Sequence, residues 1–168
     1  MSILSDVSLY DIIVNHKQMI VNPFNEKDLQ PNSIDLHLDS KLLTLHGKSI
    51  DISEQGYKLK PNEFLLGSTI EKISVPVDLT ARVDGKSSLG RLGVMVHSTA
   101  GMVDAGFMGN ITLEIKNISD KTFELNEGET ICQILFETLT TPVKKPYGHP
   151  DHNNHYQNSD GVVGSKYE

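Results

Sequence analysis

The chain has 168 residues, a formal net charge of −7, 38% hydrophobic residues and one cysteine. This length suits one domain that buries about two-thirds of its unfolded surface. The negative charge argues against a nucleic-acid binder, and the single Cys132 excludes an intrachain disulfide framework and a cysteine-rich metal site. No apolar run reaches membrane-spanning length and no signal peptide is evident, so we expect a cytoplasmic protein without a membrane partner.

The first third of the chain predicts one helix followed by two short strands. Ser5 is placed to cap a helix that runs to about Asn15. Residues 34–38 alternate strictly between apolar and polar types, which predicts a half-buried strand, and residues 42–45 predict another.

Two polar residues of the first predicted strand, Asp35 and His37, share one face because they are two positions apart. This face is either solvated or part of a site, and the sequence leaves both possibilities open.

Short strands separated by turn residues dominate the middle of the chain. Between them, residues 87–92 predict one or two helical turns, with Ser87 as the cap and Gly93 as the stop. Strands are predicted at residues 64–66, 69–74, 79–83 and 94–97.

The clearest strand is Ile111 to Lys116, where apolar and polar residues alternate. Residues 122–125 and 130–138 predict two more strands, joined by a turn at residues 126–128. One face of the clearest strand carries Ile111, Leu113 and Ile115, and the other carries Thr112, Glu114 and Lys116.

The apolar pattern fades after Pro142. Residues 146–168 predict a flexible C-terminal tail that is either disordered or ordered by something it covers. Residues 1–145 then form one all-β domain with an N-terminal helix and a short helical turn near Ser87. Many short strands with little helix predict a barrel or sandwich.

A turn with glycine on either side reads Gly85-Lys86-Ser87-Ser88-Leu89-Gly90-Arg91. If it is helical, Ser87 and Arg91 lie on one face, and the free N–H groups of the turn point toward an anion. The alternative is an ordinary Ser-capped turn with a surface arginine. Gly85 and Gly90 favour a site, because they let the backbone approach a ligand closely.

Three further residues have both a structural and a functional interpretation. Glu114 either faces solvent on the outer sheet surface or is enclosed, where burial would suit it to proton transfer. Asp104 either binds a sugar hydroxyl or caps a turn. Phe107 either stacks on a base or fills the core.

The tail histidines His149, His152 and His155 raise a metal hypothesis, but Pro150 makes a ligating helix unfavourable there and a polar tail is the better interpretation. A zinc nucleoside deaminase needs H-x-E and P-C-x-x-C elements, and the chain has neither. We therefore expect no zinc.

Three central segments resemble the dCTP deaminase branch of the dUTPase superfamily, and most of all its bifunctional, dUMP-forming members. The central segments are Gly85 to Arg91, Ser98 to Phe107 and Ile111 to Glu114. The resemblance extends to Gln30 to Leu36, Gly128 to Phe136 and Pro146 to Gly148.

The resemblance implies a homotrimer of distorted, jelly-roll-like β-barrels of the dUTPase type, with active sites between subunits and the tail closing over each site. It implies that Glu114 is the catalytic acid and base, and that Ser87 and Arg91 are essential. The implied nucleotide-binding set comprises Lys86, Ser87, Ser88, Leu89, Gly90, Arg91, Asp104, Thr112, Leu113, Glu114, Gln133, Tyr147 and His155.

The chain also departs from the family pattern. Lys86 stands where an arginine is usual, which keeps the charge but loses the bidentate fork. His155-Tyr156 and Ser159 stand where the family has a Lys-Tyr pair and a glutamine, and Asp160 would repel phosphate unless it faces solvent or Mg²⁺. Gly101, beside the Ala100 carbonyl, stands where single-step deaminases commonly carry histidine.

The implied activity is deamination of dCTP coupled to triphosphate cleavage, giving dUMP for dTMP synthesis, with dCTP and dUTP as substrates and dTTP as a candidate inhibitor. Glu114 would activate water positioned by Ala100 and Arg91 in a step without metal, and Mg²⁺ would be bound only through the triphosphate. Gly101 would favour two reactions over one, although it could merely provide a left-handed turn. The alternatives are a deaminase that stops at dUTP, a dUTPase without deaminase activity, and a non-catalytic nucleotide-binding regulator.

Overall fold

Alternating apolar residues fold most of this chain into antiparallel strands, and a computed structural model describes residues 2–167. The predicted all-β fold is confirmed. The strands are β1 Ile20–Asn22, β2 Leu29–Gln30, β3 Ser33–His37, β4 Lys41–Leu43, β5 Ser49–Asp51, β6 Tyr57–Leu59, β7 Phe64–Ser74, β8 Leu79–Gly85, β9 Val94–Val96, β10 Met102–Val103, β11 Met108–Asn117, β12 Phe123–Leu125 and β13 Thr130–Thr138.

Two main sheets enclose the hydrophobic core. One has the order β5-β4-β7-β11-β9, with β1 also pairing with β7, and the other has the order β10-β8-β13-β3-β2. A separate two-stranded sheet joins β12 to β6. Fully buried side chains from both main sheets, such as Leu36 and Phe136 from one and Leu113 and Ile115 from the other, belong to one apolar cluster.

Strand β11 lies between β7 and β9, and its faces are those predicted. Ile111, Leu113 and Ile115 are buried, whereas the alternate side chains are only half-buried. The second face is therefore where polar groups of this strand can meet a ligand.

Strand β7 is longer than the sequence predicted, since residues 64–66 and 69–74 belong to one strand of 11 residues. Gly67 lies within it without a turn. A Cβ atom at Gly67 would lie 2.9 Å from Leu38 Cδ1 and 3.0 Å from Ile115 Cδ1. Glycine suits this position because the core side chains of Leu38 and Ile115 leave little room for a Cβ atom.

Both predicted helices form, but neither is capped by a serine side chain as predicted. The first is an α-helix, α1 Asp6–Tyr10, which continues as a π-helical segment Asp11–Asn15; Ser5 precedes it without a side-chain capping bond. In the second, α2 Ser87–Gly90, Lys86 holds the N-cap position and makes no side-chain capping bond. Ser87 is therefore a helical residue, and its hydroxyl is not used as a cap.

Within residues 2–167, no helix combines the length and apolarity needed to cross a lipid bilayer.

The tail runs along the start of β11. Asn158 N–H donates to the Met108 carbonyl at 2.7 Å, and Asn110 N–H donates to the Ser159 carbonyl at 3.0 Å. Ser159 also forms a parallel bridge with Gly109. Backbone pairing thus holds this part of the tail beside the first residues of β11.

Candidate functional site

A cavity of about 310 Å³ lies where the tail meets β11 and the loop between β9 and β11. Its lining combines apolar and polar groups from these three segments. They include Thr112 and Glu114 from β11, His97, Ala100 and Phe107 from the loop, and Tyr156 from the tail. An apolar wall with a few convergent polar groups is typical of a small-molecule site.

Glu114 lies on the wall of this cavity and is half-buried. Thr99 holds both oxygens of its carboxylate. The Thr99 N–H donates to Oε2 at 3.1 Å, and the Thr99 hydroxyl lies 3.3 Å from Oε1 and 3.0 Å from Oε2. The carboxylate is thus neither fully solvated nor fully enclosed, and its role in proton transfer stays a prediction.

His97 is a cavity residue that the sequence analysis did not single out. It was assigned to a strand, but β9 ends at Val96 and His97 takes a left-handed backbone conformation with φ of 63°. Its N–H donates to the Glu114 carbonyl at 2.9 Å, and its ring Nε2 lies 2.6 Å from the Ala100 carbonyl oxygen. The sequence did offer one signal for His97: it lies between the apolar run 94–96 and the polar residues 98–99.

The His97 ring also fixes the direction of one hydrogen bond. A carbonyl oxygen only accepts, so Nε2 must donate to Ala100. The opposite nitrogen, Nδ1, is buried and has no hydrogen-bond partner among the described residues. The Ala100 carbonyl therefore has one lone pair engaged and a second one available for a water molecule.

Gly101 is held against strand β8. Its carbonyl accepts from Val83 N–H at 2.7 Å, and a Cβ atom at Gly101 would lie 3.0 Å from the Val83 carbonyl oxygen. Gly101 is not among the residues with positive φ, so the alternative of a left-handed turn is wrong. The requirement for glycine here is steric: a side chain would press on β8.

The anion-binding candidates on α2 form a second group. Arg91 Nε donates to Ser87 Oγ at 3.4 Å, as expected of two residues four apart on one helical face. Lys86 Nζ lies 2.6 Å from Asp35 Oδ1 on β3. The Asp35 side chain is only 13% exposed, so a solvated face is the wrong interpretation for this residue.

Gln133 belongs to the same group, because β13 pairs it with Asp35 on one side and with Asp84 on the other. Its side-chain oxygen accepts from Ser33 Oγ at 3.3 Å. Ser87 and Arg91 are exposed beside this network. The group combines two cations with hydroxyl and amide groups, which is a composition suited to phosphate.

His37 has a structural rather than a solvated position. Its Nδ1 lies 2.6 Å from Glu71 Oε1, its N–H donates to Glu71 Oε2 at 3.0 Å, and its Nε2 lies 3.6 Å from Asp28 Oδ1. Burial raises the pKa of the neighbouring Cys132 thiol, and the nearby carboxylates of Glu71 and Asp35 raise it further. Cys132 is therefore an inert core thiol.

The two groups of candidates belong to different sheets. Glu114 belongs to the sheet that contains β11, whereas α2 follows β8 of the other sheet. Within residues 2–167, the lining of the 310 Å³ cavity includes none of the residues from Lys86 to Arg91. One chain thus does not bring its own carboxylate and its own anion-binding turn into one cavity.

Phe107 and Tyr147 line the cavity, whereas Asp104 does not. Asp104 is exposed, and its main-chain oxygen accepts from Phe107 N–H at 3.1 Å in a turn. Phe107 belongs to the core cluster, as one interpretation expected, and it also lines the cavity; stacking on a base stays a prediction. The Phe107 ring meets the Tyr147 ring edge-on at 5.6 Å, and Tyr147 lines the cavity as well.

In the tail, Tyr156 and Ser159 line the cavity, whereas His155 does not. His155 is exposed and packs edge-on against Tyr156, with ring centroids 6.1 Å apart. Asp160 points outward, with a side chain 85% exposed, and pairs with Lys72 at 2.8 Å. That lysine lowers the pKa of Asp160. The expected repulsion of phosphate by Asp160 is thus weakened by exposure and by pairing.

No group of three or more His, Cys, Asp or Glu side chains is arranged to hold a metal ion within the described part of the chain, residues 2–167. This includes the tail histidines His149, His152 and His155.

Residues 3–139 match a protein-family model described as dCTP deaminase-like. A curated relative from Methanosphaera stadtmanae, named dCTP deaminase, dUMP-forming, is 40% identical over 99% of this chain and 94% of its own. The solved dCTP deaminase from Agrobacterium tumefaciens superposes with a TM-score of 0.69 at 22% identity, over 82% of this chain and 48% of that longer chain. A mutant dUTPase from phage phi11 of S. aureus, whose structure reveals a structural Mg(II) ion, has a TM-score of 0.51 at 18% identity, over 76% of this chain and 94% of its own.

Proposed function

The chain belongs to the dCTP deaminase-like family, and from this membership we propose that it converts dCTP to dUMP with release of ammonia and pyrophosphate. The observation that carries the proposal is a near full-length match to relatives named dUMP-forming, together with a half-buried carboxylate, Glu114, on a cavity wall. The resulting dUMP is the precursor for dTMP synthesis.

Deamination requires a group that both removes and returns protons. We propose that Glu114 takes a proton from water as its oxygen adds to C4 of cytosine, and delivers a proton to N3. Glu114 then takes the proton of the C4 hydroxyl and passes it to the amine, so that the C4–N bond breaks, ammonia leaves and the C4 carbonyl of uracil forms. The free lone pair of the Ala100 carbonyl and the Arg91 guanidinium orient the attacking water.

Thr99 keeps the carboxylate aimed during this cycle. It holds Glu114 through its N–H at 3.1 Å and its hydroxyl at 3.0 Å. Because a hydroxyl both donates and accepts, the Thr99 hydroxyl can follow either protonation state of Glu114.

We propose that three chains assemble so that each site takes α2 from one subunit and the Glu114 cavity from its neighbour. The support is that Glu114 lies in one chain's cavity while Lys86 to Arg91 lie outside it. Exposed apolar side chains beside α2 and β9, namely Leu92, Met95 and Ile118, are suitable for burial in such a contact.

The second reaction cleaves the bond between the α- and β-phosphates. We propose that Lys86, Ser87 and Arg91 bind the phosphate oxygens while water attacks the α-phosphate and pyrophosphate leaves. Asp104 would contact the deoxyribose, and Thr112 with Leu113 would read the base edge. Gln133 and Tyr147 would make the remaining nucleotide contacts.

Mg²⁺ is proposed to enter with the substrate, bound to triphosphate oxygens. The Asp35 carboxylate near the anion turn is already paired with Lys86, so it is not a free ligand for the ion. Mg²⁺ would then take most of its ligands from phosphate and water. When bound, Mg²⁺ offsets phosphate charge and polarises the bond that breaks. The same site would bind dTTP as an inhibitor. The cytoplasmic location of the protein remains a prediction.

Incubation of the purified protein with dCTP and Mg²⁺, followed by chromatographic separation of products, tests the proposal. We expect ammonia, pyrophosphate and dUMP in equal amounts with little free dUTP. Accumulation of dUTP without pyrophosphate would identify a single-step deaminase. Cleavage of dUTP without ammonia release from dCTP would identify a dUTPase, and saturable binding without turnover would identify a regulator.

A further inference from the structure

Two N–H groups of the tail donate to side chains of β11. The Gly161 N–H donates to Asn110 Oδ1 at 3.1 Å, and the Val163 N–H donates to Thr112 Oγ1 at 3.1 Å. The donors are two positions apart in the tail and the acceptors are two positions apart in β11, which is the spacing of extended chains. Side chains of β11 therefore continue the pairing that main-chain bonds make at Ser159.

Asn110 is held in the orientation that this contact needs. The residue is buried, and its Nδ2 donates to the main-chain oxygens of Thr69 at 2.9 Å and Ile70 at 3.1 Å. These bonds lie where the pairing of β11 with β7 shifts register, between Asn110 and Thr112. Because the amide nitrogen is engaged with β7, Oδ1 faces the tail as a fixed acceptor.

Gly109 allows the tail to approach β11 closely. Its φ of 147° lies in a region that favours glycine, and a Cβ atom there would lie 2.7 Å from the Ser159 nitrogen and 2.8 Å from the Ser159 oxygen. A side chain at this position would displace the tail from Asn110 and Thr112. The start of β11 is thus shaped to receive the tail in one register.

The register decides which tail residues reach the cavity. Val163, Gly164 and Ser165 line it, as do Thr112 and Glu114. A slip of one residue would exchange the side chains that face β11 and would withdraw the Val163 N–H from Thr112. The part of the cavity wall that the tail supplies therefore depends on the side-chain contacts with β11.

The Thr112 hydroxyl has capacity for a ligand as well. It offers one donor and two lone pairs, and the Val163 N–H takes one lone pair. The hydroxyl proton is not used in that bond and can be donated to a carbonyl oxygen of a pyrimidine in the cavity. A hydroxyl that accepts one hydrogen bond becomes a stronger donor in the next, so closure of the tail would strengthen the contact with the base.

We propose that Asn110 and Thr112 are positioning residues that set the register in which the tail closes, and that Thr112 couples this closure to binding of the pyrimidine. The inference rests on the proposed function for the identity of the ligand. It gives Thr112 a task beyond the expected reading of the base edge, and it gives a task to Asn110, which the sequence analysis did not single out.

Residue-resolved amide hydrogen exchange of the protein without nucleotide tests the register. Thr112→Val keeps the shape of the side chain and removes the acceptor, so the Val163 amide should exchange about fivefold faster, the effect of one hydrogen bond. Asn110→Ala should accelerate exchange of the Gly161 amide at least as much. Thr112→Ser keeps the hydroxyl and should keep the protection of the Val163 amide. Exchange at Leu113, in the core of the sheet, should stay unchanged in the Thr112 variants.

A kinetic test removes the same bond from the other side. Val163→Pro lacks the N–H that Thr112 accepts. Thr112→Val and Val163→Pro should each raise the KM for dCTP about fivefold or more with a smaller change in kcat, because the closed tail holds substrate and transition state alike. The double variant should be no worse than Thr112→Val alone, because both changes break one hydrogen bond. Thr122→Val, at an exposed threonine before β12, is the matched control and should leave KM and amide exchange unchanged.

The proposed function and the role of the β11 side chains can fail separately. Unchanged exchange of the Val163 amide in Thr112→Val would overturn the role of Thr112 in setting the register. A KM in the double variant equal to the product of the two single effects would show that Thr112 acts independently of the tail. If the wild type does not deaminate dCTP, the proposed function fails, and amide exchange still decides whether β11 sets the register of the tail.

Discussion

Replacing Glu114 with glutamine removes a charge and a proton-transfer group but keeps the shape of the side chain. The structure indicates that the change will be tolerated, because all three hydrogen bonds to the carboxylate come from Thr99. The glutamine oxygen can still accept from the Thr99 N–H, and its amide can donate to the Thr99 hydroxyl. We therefore expect the free energy of unfolding to change by no more than about 1 kcal/mol.

Activity should respond much more strongly than stability. General acid–base catalysis contributes at least about a hundredfold, so ammonia release should fall by that factor or more, equivalent to about 2.7 kcal/mol in the barrier. A coupled ammonia assay measures the rate, and the Kd for dCTP confirms that substrate still binds. Glu124→Gln, on the exposed side of β12, is the control for loss of a surface carboxylate.

Ammonia release by Glu114→Gln within about threefold of the wild type, with an unchanged melting temperature, would refute Glu114 as the proton-transfer group.

Three further predictions concern assembly, alkaline stability and the loop at Gly101. Inactive Arg91→Ala and Glu114→Gln chains, mixed and reassembled, should recover about a quarter of wild-type activity. That is the share of subunit contacts in which an intact Arg91 meets an intact Glu114. No recovery in verified mixed trimers would place each site within one chain. Tyr57 donates to Glu63 at 2.6 Å, which raises its pKa to about 12. The pKa of Tyr57 is higher in the folded chain than in the unfolded chain. The Tyr57–Glu63 hydrogen bond therefore stabilises the fold by about 1 kcal/mol below about pH 10, and this contribution is lost toward pH 12. In urea unfolding, the difference in free energy of unfolding between the wild type and Tyr57→Phe should therefore shrink from about pH 10 to about pH 12. A constant difference would contradict this role of Tyr57. Gly101→His should reduce pyrophosphate release more than ammonia release.

The elements that the sequence predicted well are those governed by local periodicity. Strand β11 has buried Ile111, Leu113 and Ile115 on one face because a strand alternates its side chains, and no long-range information is needed for that inference. The same holds for α2, where a spacing of four residues places Arg91 beside Ser87.

The features that were missed depend on partners distant in the sequence. From the sequence, Gly67 separates two predicted strands. In the structure it lies within one strand, because the side chains of Leu38 and Ile115 occupy the space beside its Cα atom. His97 gains its position only from a left-handed backbone and from the Ala100 carbonyl, neither of which has a periodic signal. Lys166 lies beside Tyr156 only because the tail folds back after docking on β11.

The site was predictable in content but not in arrangement. Residue types and the family resemblance pointed to Glu114, Ser87 and Arg91 together, and the role of each stays a prediction. The sequence could not indicate that Lys86 is paired with Asp35, because that contact joins residues 51 positions apart. Both the carboxylate and the anion turn are thus held by neighbours that become visible only in the folded chain.

The Gly101→His substitution addresses why one site would perform two reactions. A Cβ atom at Gly101 would lie 3.0 Å from the Val83 carbonyl oxygen and 3.6 Å from Arg82 Cγ, so any side chain pushes the loop away from β8. The Gly101 carbonyl accepts from Val83 N–H at 2.7 Å, and this bond would be strained by the same movement. The adjacent Ala100 carbonyl, which would orient water for deamination, moves with it.

Gly101→Ala separates the backbone shift from the bulk of an imidazole, since it adds only the Cβ atom. We expect Gly101→Ala to slow ammonia and pyrophosphate release to a similar degree, because both reactions need the loop in place. The imidazole of Gly101→His additionally fills space near the base and restricts the loop, which should impair retention of the uracil nucleotide through the phosphate step. Free dUTP should then accumulate, with the ratio of pyrophosphate to ammonia falling by about tenfold, the effect of roughly 1.4 kcal/mol. Equal losses of both products in Gly101→His would show that the open space at Gly101 does not determine the second reaction.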